Sequence, residues 1–152
     1  RMGIDRNLNG VPDAEESSIF NLENFGHPTP PCAGDIHLTS NSEPLTGNSA
    51  FAFTCTGLTP NQTGWLVLTA GDGKEPPVDL YGISFWVDIL SPAKAIIPIP
   101  ADDLGFGYVK IPLPTHFVYI DIPFSGMVAT LNACAPAGIA GSQGVRFEVA
   151  EP

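Results

Sequence analysis

The sequence predicts an all-β fold, an antiparallel β-sandwich of about eight or nine strands. Short runs rich in Val, Ile, Phe and Thr alternate between apolar and polar positions, which is the period of a half-buried strand. Gly, Pro, Asn and Asp recur between these runs, at intervals of roughly 8–15 residues, and they mark turns. No stretch of ten or more residues has the 3.6-residue period of an amphipathic helix.

Ten segments are candidate strands, and one or two of them are expected to be loops. They are residues 35–40, 49–56, 64–70, 77–81, 83–90, 94–99, 107–113, 116–122, 125–133 and 144–150. Two stacked sheets would bury the alternating apolar faces against each other. A small closed barrel is the alternative that the same pattern allows.

Alternation also predicts which side chains of these strands face the core. The dense apolar run 64–70 is expected to be a central strand, and Cys55 a small buried apolar residue. In residues 83–89 the odd positions would face inward, while Ser84, Trp86 and Asp88 would face outward. The other inward positions are expected to be Phe51, Phe53, Val109, Ile111, Leu113, His116, Val118, Ile120, Ile122, Val145, Phe147 and Val149.

Residues 5–16, DRNLNGVPDAEE, match the calcium-loop pattern D-x-[DN]-x-[DN]-G-x5-E at every specified position. Ca²⁺ prefers six to eight oxygen ligands, which such a loop supplies at alternating positions around a sharp glycine turn. The sequence therefore predicts Ca²⁺ as a cofactor. Its expected ligands are the side chains of Asp5, Asn7 and Asn9, the Val11 carbonyl, Asp13 directly or through water, and Glu16 with two oxygens.

The expected organisation is a calcium-loop segment and lead-in over residues 1–26, a proline-rich spacer over 27–31, and the β-sandwich over 32–152. The spacer reads HPTPP, and proline both fixes the backbone and removes a hydrogen-bond donor. Because the chain starts at Arg1, we expect a mature product or a piece of a longer protein.

The charge balance argues against nucleic acid or an anionic membrane surface as a partner. The net charge is −10, and the six Lys and Arg residues are scattered along the chain. Charged residues make up 14% of the chain, against about 25% in typical soluble proteins. Few outward charges favour contact with neighbouring domains or copies. No apolar run is long enough for a transmembrane helix.

No catalytic constellation is found, so the chain is not predicted to be an enzyme. Ser91 and Lys94 match the S-x-x-K pattern, but Pro92 and the flanking strand-like segments indicate a turn instead of the required helix. The three histidines do not have the spacing of a metalloprotease motif.

The three cysteines, Cys32, Cys55 and Cys134, allow three disulfide pairings, and the sequence alone leaves the choice open. Cys32 and Cys134 lie near Pro and Gly at segment edges, which favours pairing between them. One thiol would then remain free.

Three aromatic residues at outward positions, Trp86, Tyr108 and Tyr119, raise the alternative of a carbohydrate-binding module. Aromatic rings offer flat apolar area with a polar tip, on which sugar rings can stack. Under this alternative a polysaccharide would be the partner. The competing interpretation is that a loop or a neighbouring chain covers these rings.

The first segment resembles the calcium loops of EF-hand and thrombospondin type-3 proteins, and its ending GVPDAEE is similar to loops in large secreted bacterial proteins. Those loops usually carry Asp where this chain has Asn7 and Asn9, which implies weaker binding. The remainder resembles β-sandwich modules near the C-termini of such proteins. The similar stretches are Pro44–Gly47, Gly64–Leu68, Pro77–Leu80, Ile111–Pro114 and Gly141–Val145.

This resemblance implies a non-catalytic module at the cell surface or outside the cell, with a structural, adhesion or assembly role. The module would belong to a larger secreted or cell-surface protein or filament. Its partners would be further copies or neighbouring domains of the same assembly.

Overall fold

The computed structural model describes residues 22–29, 34–116 and 118–152. These residues form eleven β-strands and no helix, which confirms the all-β prediction. Among them, no helix has the length and apolar character needed to cross a membrane. The strands are β1 Leu22–Phe25, β2 His37–Ser40, β3 Ala52–Thr56, β4 Thr63–Ala70, β5 Val78–Leu80, β6 Ile83–Phe85, β7 Lys94–Pro100, β8 Gly107–Lys110, β9 Pro123–Leu131, β10 Ile139–Gly141 and β11 Gly144–Glu148.

The strands are arranged in three antiparallel sheets. The large sheet has the order β1-β11-β9-β4-β7, and β10 pairs with β9 beside β11. The small sheet has the order β2-β3-β8, and β5 and β6 form a two-stranded hairpin. The predicted central position of residues 64–70 is confirmed, because β4 has a strand on each side.

The large and small sheets share one apolar core. Phe53 and Cys55 of β3 contribute to it from the small sheet, and Leu66 and Phe147 contribute from the large sheet. The rings of Phe53 and Phe147 meet edge to face with centroids 5.5 Å apart. The alternation predicted for β3 and β11 is confirmed, since Phe53, Cys55, Val145 and Phe147 are all buried.

A second apolar cluster covers part of the opposite face of the large sheet. Val67 and Met127 pack there against Ile83, Phe85 and Val87, which belong to β6 and the residues after it. Because β4 has core on both faces in this region, its sequence is a nearly continuous apolar run instead of a strict alternation.

β10 and β11 pair with successive parts of β9 and are separated by a β-bulge. Gly141 pairs with Ala129 and Val145 pairs with Gly126, so residues 142–144 stand opposite only two residues of β9. Ser142 supplies the hydrogen bonds that the Val128 backbone would otherwise lack at this interruption of the ladder. Its N–H donates to the Val128 carbonyl at 2.8 Å, and its hydroxyl accepts from the Val128 N–H at 2.9 Å.

The bulge directs the Gln143 side chain toward the small sheet. The amide is buried, and it accepts from the Leu38 N–H at 3.3 Å and donates to the Leu38 carbonyl at 2.9 Å. It also donates to Asn24 Oδ1 of β1 at 3.2 Å. One side chain therefore pairs with β2 as a neighbouring strand would and joins the two sheets.

The predicted strand 116–122 is wrong. Thr115 and His116 lie in a turn, Val118 is 80% exposed, and Ile120 forms only an isolated bridge with Val149. Prolines at 114 and 123 bound the segment, and proline cannot donate to a ladder. The remaining nine candidate segments each contain a strand, whereas β1 and β10 were not predicted.

Residues 22–25, which were predicted as part of the lead-in, form a strand of the large sheet. They form β1, which pairs with β11 from Leu22 opposite Phe147 to Phe25 opposite Gly144. A Cβ at Gly144 would lie 2.5 Å from the Phe25 ring, so the missing side chain makes room for it. Thr29 in the predicted spacer donates its N–H to the Gly141 carbonyl. Residues 1–21 and 30–33 lie outside those described.

β7 is an edge strand of the large sheet and carries two prolines. Ala101 donates to Gln62, and the Ala93 carbonyl accepts from Ala70, so odd-numbered residues here direct their backbone groups toward β4. Pro98 and Pro100 therefore lie where a backbone N–H would point away from the sheet. Their positions remove donors from this edge and oppose the addition of another strand.

Candidate functional site

The six predicted calcium ligands, Asp5, Asn7, Asn9, Val11, Asp13 and Glu16, all lie outside the described residues. Within residues 22–29, 34–116 and 118–152, no group of three or more His, Cys, Asp or Glu side chains could hold a metal ion. The calcium site therefore stays a prediction from the sequence.

The predicted outward orientation of Trp86 is wrong, because the side chain is only 5% exposed. Regular pairing of β6 ends at Phe85, so the alternation does not continue to Trp86. The indole packs against Phe25 and His27, with ring centroids 6.1 and 5.2 Å away, and its Nε1–H donates to the His27 carbonyl at 3.0 Å. Trp86 anchors the segment after β1 and is not accessible to a sugar ring.

The two tyrosines of the predicted carbohydrate site are exposed but lie on different elements. Tyr108 is on the outer face of the small sheet, opposite Thr54, which is itself opposite Thr39. Tyr119 lies in the loop before β9 and lines a groove of about 480 Å³ together with Leu68 and Phe124. The structure therefore does not bring Trp86, Tyr108 and Tyr119 together as one exposed row.

The two cysteines among the described residues differ in state. Cys55 is free and fully buried, as predicted, and burial raises the pKa of its thiol to about 12. The thiol therefore stays protonated and unreactive at neutral pH. Cys134 is disulfide-bonded. Cys32 lies outside the described residues, so the Cys32–Cys134 pairing stays a prediction.

Arg146 is the centre of the densest group of charges in the described residues. It contacts Glu23 at 3.2 Å, Glu75 at 3.3 Å and Asp72 at 3.8 Å, and its guanidinium lies 4.6 Å from the Phe25 ring centroid. Burial lowers its pKa, but hydrogen bonds to Glu75 and Glu23 outweigh that effect and raise the pKa overall. This group fixes β1 and the 72–75 loop to β11.

An uncovered apolar surface lies on the side of the large sheet that faces away from the small sheet. We call it the Trp65 face, and it consists of Trp65, Ile96, Pro98 and Leu131. Trp65 stands directly opposite Pro98 on β7 and Ala129 on β9. Ile96 lies two residues before Pro98, opposite Val67, and Leu131 lies two residues after Ala129. Directly opposed residues share a face, so these side chains form one continuous surface.

The exposed fractions are 47% for Trp65, 53% for Ile96 and 63% for Leu131. Val67, two residues after Trp65 on the same side of β4, is buried under the second apolar cluster. The Trp65 face is therefore the part of this side that the second cluster leaves uncovered. Lys94 is the only charged side chain that β4, β7 and β9 place on this side.

The Trp65 face was not among the sites predicted from the sequence. The dense apolar run 64–70 predicted a central strand, and it gave no indication that Trp65 is exposed while Leu66 and Val67 are buried. The exposure of Trp65 could have been inferred only from its position, because it lies at the start of β4, next to the exposed residues 61–63.

Comparisons with known proteins found no relative of this chain. No protein-family model, no curated protein and no solved structure matches it. The part of the chain that the structure describes is all-β, with antiparallel sheets and an exposed apolar face on the largest of them.

Proposed function

We propose that this chain is a non-catalytic, calcium-stabilised domain with a structural, adhesion or assembly role at the cell surface or outside the cell. The observation that carries the proposal is the exposed apolar surface. Thirteen large apolar side chains of the described residues are each at least 38% exposed, in a chain with only 14% charged residues. Such a surface is stabilised when a neighbouring domain or another copy covers it.

We interpret the large and small sheets as the two layers of a β-sandwich. The shared core of Phe53, Cys55, Leu66 and Phe147 supports this interpretation, because sandwich layers bury their inner faces against each other. Under this interpretation the β5–β6 hairpin is a partial third layer on the outer side of the large sheet.

Concentration-dependent association tests the assembly role. We expect the purified chain to form dimers or larger species as its concentration rises, because exposed apolar side chains then become buried. Analytical ultracentrifugation over a hundredfold range of concentration measures this. Strictly monomeric behaviour over the whole range would contradict self-association.

The calcium loop is expected to stabilise the domain where the chain approaches β1. Extracellular sites of this kind have dissociation constants of roughly 10⁻⁴–10⁻³ M. At 2 mM Ca²⁺, binding to the folded state alone would contribute about 0.7–1.8 kcal/mol. We therefore expect chelation of calcium to lower the melting temperature by about 2–6 °C.

Replacing Asp5 with alanine is expected to abolish this response to calcium, because the loop loses its first carboxylate ligand. Asp103→Ala is the matched control, since Asp103 is an exposed aspartate in the turn between β7 and β8. Calorimetry with and without a chelator measures both variants. Identical melting curves of the unmodified chain under the two conditions would remove calcium from the proposal.

Carbohydrate binding through Tyr108 is the alternative function. The exposed Tyr108 ring, in line with Thr54 and Thr39 across the small sheet, favours it, because hydroxyl side chains beside an aromatic ring can bind sugar hydroxyls. Retention on an insoluble polysaccharide that is lost in Tyr108→Ala would support this alternative.

A further inference from the structure

We infer that the Trp65 face is a contact surface between two copies of this chain, which meet through the outer sides of their large sheets. The inference rests on the proposed assembly role and specifies the surface that performs it.

The area of the face is enough for a weak specific contact. The exposed parts of Trp65, Ile96, Pro98 and Leu131, with the adjoining side chains, offer on the order of 500 Å² of apolar surface, the size of the largest patch on a typical monomer. Two such faces would bury about 1,000 Å² in total, which is the lower limit for a specific interface. We therefore expect a dissociation constant on the order of 10⁻⁵–10⁻³ M.

The chemistry of the face favours a protein surface over a sugar. A sugar site needs polar side chains around its aromatic ring to bind the hydroxyl groups. Here Ile96, Pro98 and Leu131 lie around Trp65, and the exposed polar side chains that β4, β7 and β9 place on this side are those of Thr63 and Lys94. Aromatic residues with aliphatic neighbours and few charges are typical of the centre of a protein interface.

The edge of the large sheet favours contact through its face. Pro98 and Pro100 remove outward donors from β7, so a second copy cannot pair along the whole of this edge. A two-fold axis through the Trp65 face makes the contact self-complementary, because each copy then presents the same residues to the other. Such a contact produces a dimer, because both copies of the face are then occupied.

The net charge gives the association a characteristic salt dependence. Two copies that each carry −10 repel one another, while the face itself contributes no ion pair. Added NaCl screens the repulsion and leaves the apolar contact in place. We expect association to strengthen when NaCl is raised from about 50 to 500 mM, which is opposite to the effect on a contact made by ion pairs.

The test compares dimer dissociation constants of three variants with that of the unmodified chain by analytical ultracentrifugation. Trp65→Thr and Ile96→Lys each alter the face at a partly exposed strand position and should weaken association at least tenfold. Tyr108→Thr is the matched control, because it removes an equally exposed aromatic residue from the small sheet and should leave the dissociation constant unchanged. Thermal melting checks that each variant remains folded, and Ile96→Lys keeps the test valid should Trp65→Thr fail to fold.

Distinct results would overturn the inference. If the unmodified chain associates and both face variants associate equally well, the inference is wrong and the assembly role stands. If the chain is monomeric at every concentration, the inference and self-association both fail. Retention on a neutral polysaccharide that is lost in Trp65→Thr, with a monomeric chain, would assign the face to a sugar.

Discussion

Replacing Trp86 with alanine is expected to destabilise the protein by about 3–5 kcal/mol, the range for removing a buried tryptophan. The substitution removes contacts with Phe25 and His27, and it leaves the His27 carbonyl without its donor. Gly26 lies so close to the indole that a Cβ there would overlap it. The resulting cavity therefore lies directly beneath the segment after β1, and denaturant-induced unfolding measures its cost.

Trp65→Ala is the matched control, because it removes the only other tryptophan from a half-exposed position. We expect it to cost no more than about 1 kcal/mol, as exposed substitutions do. Hydrogen exchange should show loss of protection at residues 22–25 in Trp86→Ala and not in Trp65→Ala. Equal, small effects of the two substitutions would contradict the buried position of Trp86.

Replacing Gln143 with leucine is expected to destabilise the protein by about 2–4 kcal/mol. Leucine has a similar size, but it cannot pair with the N–H and carbonyl of Leu38, which are buried. A buried backbone group that loses its partner costs about 1–3 kcal/mol, and two are affected here. Removing one partner is more damaging than exchanging both for apolar groups, because the remaining groups stay desolvated.

The control for this variant is Gln62→Leu, which replaces the only other glutamine at an exposed position. Its expected effect is within about 0.5 kcal/mol. Gln143→Glu is informative as well, since a carboxylate accepts from the Leu38 N–H but cannot donate to the Leu38 carbonyl. We expect Gln143→Glu to destabilise the protein as well, because its charge would be buried beside the Leu38 carbonyl. A Gln143→Leu protein as stable as the unmodified chain would refute the role of this amide in joining the sheets.

Strands with one buried face were predictable from the sequence, because burial on one side leaves a period of two. β3 and β11 are examples, since Phe53, Cys55 and Phe147 all face the core as predicted. β1 was not predictable in this way. Its two middle residues are both exposed, so it shows no alternation, and its pairing with β11 depends on the distant Gly144.

Two predictions were wrong because they relied on the alternation of apolar and polar residues and took no account of neighbouring prolines or of where a strand ends. The sequence of residues 116–122 alternates as a strand does, but prolines at 114 and 123 bound it, and among its described residues only Ile120 forms a β-bridge. Trp86 occupies an outward position only if β6 continues past Phe85. The chain turns there instead, and the close approach of Gly26 creates the pocket that the indole fills.

The two candidate sites also differ in how far the sequence alone can predict them. A calcium loop is visible in sequence because all its ligands come from one short stretch with fixed spacing. The Trp65 face combines residues from β4, β7 and β9, and it stays uncovered because the second apolar cluster ends at Val67. Such a face depends on how far one layer extends over another, which no local pattern encodes.

The pairing of β1 with β11 determines how the domain responds to a pulling force. These strands are antiparallel, with Leu22 opposite Phe147, so the chain enters β1 and leaves β11 at the same end of the pair. A force applied across these two points loads the hydrogen bonds one after another, which opens the pair at low force, as a zipper opens. The ion pair between Arg146 and Glu23 is then among the first interactions to break.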